Sequence, residues 1–338
     1  TERTRLSGTI TLGTPVADLS GAFAVEATGA SPDRRLFIAA SGVTAFVGKG
    51  KDTTTTADDV GVSFSNGELL AVINANGTYA FDASGTAGLT GINSISLTGT
   101  LVAQKNTTGS AVSENLTIGG TTKTLTVAKD VSKVSGTLTL STENSLYLTG
   151  TIGVEKKTAS LKLEDGTTVN TTAVQLGGTG ISGFVGLNAT PGHTDQTGVS
   201  LSNLSFGYTL ASPTNSDAGK DLRTWSALKA AASSASLVGV DVVTATVSSL
   251  SLNLNRAGGT KDGTAATKTA DFASSPLANT VGGQSSTLDF VGSILQAFAL
   301  IEFSVSEFAS IRGRFGIDLG NMDVTLSSFD DVDLPTSF

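Results

Sequence analysis

The chain has 338 residues and a formal net charge of −8 at pH 7, with 15% charged and 39% hydrophobic residues. It contains no cysteine and one histidine, which excludes disulfides, thiolate zinc sites, iron–sulfur clusters and cysteine nucleophiles. Because nucleic acid and anionic lipid surfaces repel an acidic chain, we expect neither as a partner.

The start of the chain and its apolar runs bear on its origin. The first letters are TERTR, with no start methionine and no apolar core of a signal peptide, so we expect a segment of a longer protein. A membrane helix needs roughly 18 to 20 consecutive apolar residues. The best run, residues 291–301, is interrupted by Gln296 and closed by Glu302, so we expect no membrane insertion.

Apolar residues alternate with small polar ones over much of the chain. Clear examples are VSGTLTLS at residues 134–141 and LYLTGTIGVE at 146–155. A period of two is the pattern of half-buried strands, and threonine favours strands because it is β-branched. The sequence therefore predicts an all-β protein.

One strand-like motif occurs three times. It reads LSGAFAVE at residues 19–26, LTGTIGVE at 148–155 and IRGRFGID at 311–318. Self-similarity at long spacing is typical of repeat proteins. We interpret the chain as an array whose repeat is about 130 to 160 residues long.

Two further motifs occur twice, in the same order. The second motif is SGVTAFVG at residues 41–48 and TGISGFVG at 179–186, and each copy leads into a strand that begins Gly-Val-Ser at Gly61 or Gly198. The third is LTGI at 89–92 and LVGV at 237–240, and each copy precedes an alternating stretch that ends near Asn106 or Asn255. The drift in spacing between copies predicts loop insertions.

The motifs divide the chain into four parts. We predict the end of a preceding unit at residues 1–18, a first unit at 19–147, a second at 148–310 and the start of a third at 311–338. The comparison also decides one ambiguous segment. Residues 222–233 are alanine-rich, but their counterpart at 79–88 holds two glycines, so we predict strand in both places.

Two architectures fit these strands. The first is an elongated β-solenoid or β-helix, and the alternative is a string of antiparallel β-sandwiches. The small residues and the 6% aromatic content favour the solenoid, because sandwiches often centre on large aromatic side chains.

The motifs resemble the tandem repeats of giant extracellular adhesin-like bacterial proteins, including the LEPR-XLL type and chains associated with RTX repeats. The resemblance rests on the Phe-Val-Gly copies at residues 46–48 and 184–186, the Gly-Val-Ser strands, the Leu-x-Gly pair and the Gly-centred motif. It implies an extracellular or cell-surface location and a structural role. The RTX calcium nonapeptide is absent, since Gly177-Gly178-Thr179-Gly180 is followed by no aspartate in register.

Acidic clusters are the candidate ligands. Asp330, Asp331 and Asp333 near the C-terminus, and Asp58 and Asp59 in the first long loop, offer the oxygen ligands that calcium prefers.

A weaker candidate calcium site combines Asp217 with Asp221.

We predict no catalytic residues. His193 lies two residues from Asp195, but without a nucleophile elbow we interpret it as an exposed loop histidine.

A row of phenylalanines follows in the second unit. Its members are Phe290, Phe298, Phe303, Phe308 and Phe315. They form a buried seam or a partner surface, and the alternation around Phe303 favours the core.

The sequence-based hypothesis is a structural, non-enzymatic segment of a large secreted or cell-surface protein, as a stalk, adhesin or surface-layer element. Its partners are neighbouring repeats, other copies of the chain, or cell-surface glycans or proteins. One alternative is a self-assembling subunit of an extracellular filament or sheath. A second alternative is a surface enzyme acting on polysaccharides, which needs lysine or arginine and acids together in a groove.

Overall fold

The structure is a computed structural model. It describes residues 3–14, 17–49, 59–92, 95–118, 121–142, 144–215, 220–283, 286–306 and 308–320. These residues form strands joined by turns, with one short 3-10 turn and no α-helix among them. The predicted all-β fold is confirmed.

The strands are numbered in chain order. They are β1 (Arg3–Thr14), β2 (Ala17–Thr28), β3 (Arg35–Lys49), β4 (Val60–Ile73), β5 (Tyr79–Thr90), β6 (Ile95–Asn106), β7 (Val112–Ile118), β8 (Thr121–Val127), β9 (Ser132–Thr142), β10 (Leu146–Lys162), β11 (Thr168–Leu187), β12 (Thr197–Pro213), β13 (Thr224–Val238), β14 (Val243–Gly258), β15 (Thr260–Lys261), β16 (Thr264–Ala265), β17 (Leu277–Asn279), β18 (Ser286–Leu288), β19 (Ile294–Val305) and β20 (Ala309–Gly320). The 3-10 turn is Val281–Gly283.

Fourteen strands form one antiparallel sheet in the order β1-β2-β3-β4-β5-β6-β9-β10-β11-β12-β13-β14-β19-β20. Each strand pairs with the strands that precede and follow it in this order, so β1 and β20 are the two edges. The hairpins β7–β8, β15–β16 and β17–β18 stand apart as small two-stranded sheets.

The β-solenoid expectation is wrong. In a solenoid, parallel strands of successive coils stack on one another, whereas here every strand of the main sheet runs antiparallel to its neighbours. Short turns allow this pairing, because an antiparallel pair needs only a tight connection and a parallel pair needs a long crossover. The antiparallel pairing agrees with the alternative of antiparallel β-sandwiches. The three separate hairpins add a second layer over parts of the main sheet.

Three hairpins of the sheet share one register. The first repeated motif lies on β2, β10 and β20, and in each case it pairs with the preceding strand in the same way. Opposite the central glycine of the motif stand Ile10, Leu138 and Ile301. Because a slip of one residue would turn every side chain to the other face, the shared register places equivalent side chains on the same face in all three hairpins.

The second motif forms a matched pair of β-bulges. Gly42 on β3 and Gly180 on β11 have φ angles of 61° and 62°, and the pairing of each strand with its neighbours shifts at that point. On the following strands, Asn66 and Asn203 both have a φ of 51°. Bulges bend a strand and increase its twist, so β3–β4 and β11–β12 bend at equivalent places.

The third motif leads to the insertions. β5 and β13 each carry one copy and continue into β6 and β14, which end at or near Asn106 and Asn255. The chain then leaves the sheet for a hairpin after β6, and for two hairpins after β14, before returning as β9 or β19.

The insertions cover one part of the sheet in each half of the chain and create its two cores. The first core joins β2 to β5 with the hairpin β7–β8 and contains Ala24, Ala39, Val72, Ala80, Val112, Leu116, Leu125 and Val127. The second core contains Leu161, Leu163, Ala173, Ala211, Trp225, Ala227, Ala270, Phe272 and Leu288. Both combine alanines on the strands with larger side chains from the insertion, and the second core also takes Trp225 from β13 and Leu161 from β10.

A buried asparagine attaches each insertion to the sheet. The Asn106 side-chain amide donates to the carbonyl oxygens of Ser110 at 2.7 Å and Ala128 at 3.0 Å. The Asn255 amide donates to the carbonyls of Ala270 at 2.8 Å and Gly292 at 3.0 Å. A buried carbonyl needs a partner, and these amides supply one where the chain departs from the ladder.

The predicted unit boundaries fall at equivalent places. Residues 19, 148 and 311 each lie two positions after the start of a strand, since β2, β10 and β20 begin at Ala17, Leu146 and Ala309. The division into units stays a prediction. Five strands of the main sheet lie between one such strand and the next.

Two expectations for particular segments have opposite outcomes. The alanine-rich residues 222–233 fall largely within β13, and residues 79–88 lie in β5, so the strand prediction is confirmed.

The prediction of a buried phenylalanine seam is wrong for most of its members. Phe298, Phe303, Phe308 and Phe315 are exposed, and of the row only Phe290 packs against a core, because β19 and β20 lie at the edge of the sheet beyond the second insertion.

The bulge glycines generate a prediction. No atom lies within 4 Å of a Cβ built on Gly180, but its φ is +62°, so Gly180→Ala meets backbone strain alone. We expect this substitution to lower the free energy of unfolding by about 1–2 kcal/mol, measured by urea denaturation. Gly8→Ala is the control, because Gly8 also has open space around it without a positive φ. An equal loss in both variants would contradict the explanation.

Candidate functional site

Four of the five predicted calcium ligands lie outside the described residues, namely Asp58, Asp330, Asp331 and Asp333. Asp59 is described and buried immediately before β4. In the part of the chain that the structure describes, no three His, Cys, Asp or Glu side chains come together as a metal would require.

Asp221 is the described member of the weaker acidic pair, since Asp217 lies outside the described residues. Its carboxylate accepts two hydrogen bonds from Arg223, from Nε at 2.8 Å and from Nη2 at 2.7 Å. These bonds hold the pKa of Asp221 below its usual value, although burial acts in the opposite direction. Asp221 is therefore one half of an internal ion pair.

Arg223 lies over the ring of Trp225, with its guanidinium carbon 5.1 Å from the ring centroid. The Trp225 indole is fully buried and donates to the carbonyl oxygen of Lys268 at 3.0 Å. The Trp225 indole thus fastens the start of β13 to the second insertion. A cation over an aromatic face is attracted by the ring quadrupole, so Arg223 and Trp225 hold each other in place.

A cleft of about 330 Å³ lies beside this group. Its lining includes Asp165, Arg223, Lys261 and Lys268, so it brings bases and acids together as the polysaccharide-acting alternative requires. The guanidinium of Arg223 is already engaged by Asp221, and Asp165 accepts from the Thr167 hydroxyl at 2.6 Å, which lowers the Asp165 pKa. Several of the charged groups are thus used within the protein.

A second cleft, of about 520 Å³, occupies the corresponding edge of the first half. It lies between the β2–β3 and β4–β5 turns, and Arg35 is its cation. Arg35 donates to Glu114 on β7 at 2.7 Å and to Asn74 at 3.1 Å, and its guanidinium lies 5.0 Å from the centroid of Phe37. In both halves an arginine is held by an acid and lies over an aromatic ring. Arg35 thereby joins a turn of the sheet to β7, whereas the partners of Arg223 are only two residues away from it.

His193 has no catalytic geometry. Its Nδ1 accepts a hydrogen bond from the backbone N–H of Asp195 at 3.2 Å. In a catalytic triad the same nitrogen donates to the carboxylate of the orienting aspartate, so the arrangement here is the reverse. The histidine is exposed on the loop between β11 and β12, where the sequence analysis expected it.

The edge strand β20 is the candidate interaction site. Among the described residues it pairs only with β19, so the backbone groups along its other side face no strand. Its apolar side chains are prominent, since Ile311 is 62% exposed, Ile317 60% and Leu319 62%. An unpaired apolar edge is a template for another strand.

Sequence reasoning identified the motif on β20 but missed that it forms an edge. The alternation of apolar and polar residues does not distinguish an edge strand from an internal one, so the sequence held no signal for the edge.

No helix among the described residues is long and apolar enough to cross a membrane. Comparisons with protein-family models, with curated proteins and with solved structures give no match for this chain. The fold and the edge define the molecule as an all-β protein built on one meandering antiparallel sheet.

The ion pair of Asp221 generates a prediction about pH. Because the folded-state pKa of Asp221 is lowered from 3.8, its stabilisation is present above that value and disappears as the pH falls through the folded-state pKa. We expect Asp221→Asn to lower the free energy of unfolding by about 1–3 kcal/mol at pH 7, with a smaller difference from wild type near pH 3. Urea denaturation at both pH values measures this. The control is Asp241→Asn, at an exposed aspartate between β13 and β14, whose free energy of unfolding should match wild type at both pH values. If Asp221→Asn differed from wild type by the same amount at both pH values, the ion-pair explanation would be contradicted.

The calcium prediction has its own test. Calcium at about a hundredfold excess over the dissociation constant stabilises a protein by about 2.7 kcal/mol, which thermal unfolding detects. We expect this rise to vanish in the variant Asp330→Asn, Asp331→Asn, Asp333→Asn and to persist in Asp58→Asn, Asp59→Asn. An unchanged melting temperature of the wild-type chain would contradict the prediction.

Proposed function

We propose that the chain is a structural, non-enzymatic repeat segment of a large secreted or cell-surface bacterial protein, serving as a stalk, adhesin or surface-layer element. One observation carries the proposal. The hairpins β1–β2, β9–β10 and β19–β20 share the same cross-strand register within one continuous sheet. A sheet that repeats its own pairing at a fixed interval has the organisation of a spacer, because each repeat contacts mainly its neighbours.

The sheet extends across its strands. Neighbouring strands lie about 4.8 Å apart, so a repeat of six strands adds about 30 Å and the fourteen-stranded sheet spans about 60 Å before twist is considered. The backbone hydrogen bonds run along this direction and connect each strand to the next. The length of such a segment therefore follows the number of repeats.

Hydroxyl groups pair at equivalent positions of the hairpins β1–β2 and β9–β10. Thr137 and Thr151 are joined at 2.9 Å, and Thr139 and Thr149 at 3.1 Å. In the first hairpin, the Oγ1 atom of Thr11 lies 3.4 Å from the Oγ of Ser20. These exposed polar pairs keep the surface hydrated, and the net charge of −8 limits nonspecific association.

The spacer proposal is tested by measuring distances between equivalent strands. Thr9, Thr137 and Leu300 occupy the same register position on β1, β9 and β19. The chain has no native cysteine, so spin labels can be attached at cysteines introduced in pairs, Thr9→Cys with Thr137→Cys and Thr137→Cys with Leu300→Cys. Electron–electron double resonance should give two narrow and similar distributions near about 30 Å.

Narrow and similar distributions would support a rigid repeating spacer. Broad distributions, or two clearly different means, would contradict it. Thermal unfolding of the doubly labelled chains controls for the substitution of Leu300, which is half-buried.

A further inference from the structure

The free side of β20 has two equivalents inside the same sheet. Strands β2 and β10 carry the same motif as β20, and each pairs on its second side with a strand of the second motif, β3 or β11. In both pairs the register shifts near the central glycine of the motif. The internal strands thus show which partner sequence fits this edge.

A branched side chain fits over the motif glycine in each internal pair. A Cβ built on Gly21 would lie 3.1 Å from Cγ2 of Val43 on β3, and one built on Gly150 would lie 2.6 Å from Cγ1 of Ile181 on β11. A side chain at Gly150 would collide with Ile181, whose backbone Cα would also lie only 2.7 Å away, and one at Gly21 would be tightly packed against Val43. Glycine thus makes room where Val43 or Ile181 crosses the edge of the preceding strand.

Gly313 is the corresponding residue of β20. A Cβ at this position would meet only the ring of Phe315, at 3.4 Å. The backbone of Gly313 has no positive φ, so its conformation does not explain the glycine. The space that Val43 and Ile181 fill over the other two glycines is open here.

We propose that the free edge of β20 binds an extended strand with the sequence pattern of β3 and β11, supplied by another repeat of the same kind. The pattern is a small hydroxyl residue, a glycine in a bulge, and a valine or isoleucine that packs over Gly313, followed by Phe-Val-Gly three residues later. The binding mode is strand addition, in which main-chain hydrogen bonds give affinity and the branched side chain gives specificity. This inference rests on the proposed structural function and names the partner of its edge.

The first strand of a second copy is a poorer fit to this edge. Residues 6–12 of β1 read LSGTITL, close to VSGTLTL at residues 134–140 of β9. β9 pairs on its second side with β6, so the free side of β1 matches a strand of the β6 type. β1 also lacks a glycine with positive φ among its described residues, and so has no bulge to place a branched side chain over Gly313.

The test uses the full chain and a synthetic peptide with the sequence of residues 35–49, labelled at its N-terminus. Fluorescence anisotropy should show saturable binding, and hydrogen exchange should show new protection confined to the amides of β20. We expect Gly313→Val to weaken binding by at least about tenfold, because the added side chain fills the space over the glycine. Gly8→Val on the opposite edge is the matched control and should leave binding unchanged.

A second variant keeps the test independent of how the chain tolerates Gly313→Val. A peptide carrying Val43→Gly loses the branched side chain and should bind about tenfold more weakly to the unaltered chain. Equal binding of the two peptides would overturn the proposal.

Three other results would also overturn it. The first is the absence of saturable binding, and the second is protection on β1 instead of β20. The third is head-to-tail association of the chain alone, seen by sedimentation with both edges protected, which would assign the edge to β1 of a second copy and favour a filament. The spin-label distances between equivalent strands are independent of all three, so failure of this inference is distinguishable from failure of the spacer proposal.

Discussion

The register of antiparallel pairing is the constraint on which the rest of this structure depends. Each strand of the main sheet exchanges backbone hydrogen bonds with its neighbours in the sheet, and the alternation of small polar and aliphatic residues selects one alignment. Once the register is set, the bulges at Gly42 and Gly180, the hydroxyl pairs and the buried amides of Asn106 and Asn255 fall at equivalent places. The two cores follow, because each insertion packs on strands whose small residues share one face.

The charged groups serve this arrangement. The contacts of Arg35 with Glu114 and Asn74 hold the first insertion and a turn against the sheet, and the ion pair of Asp221 with Arg223 orders the segment that enters β13. The partly desolvated guanidinium groups are stabilised by these acids and by nearby aromatic rings. Among the described residues, the edge strands offer their main chain to a partner, and β20 also exposes apolar side chains.

Periodicity predicted the strands but not their neighbours. The alternation at residues 134–141 indicates a strand whether it pairs in parallel or antiparallel, so a solenoid and a meander look alike in sequence. The comparison with the similar segment at residues 79–88 predicted the strand at the alanine-rich residues 222–233, where propensity alone favours a helix and tertiary context overrides it. The exposure of Phe298 and Phe315 could not be predicted in this way, since burial depends on where the sheet and its insertions end. The acidic cluster at Asp330 lies outside the described residues.

The two insertions leave and rejoin the sheet at the same end of adjacent strands. β6 pairs directly with β9, and β14 with β19, whatever lies between them. One connection holds a single hairpin and the other holds two, yet the ladder continues unbroken past both. Each of these two connections is therefore a position at which evolution or an engineer can exchange a whole surface module, provided that the graft keeps an amide at the departing strand and an apolar underside.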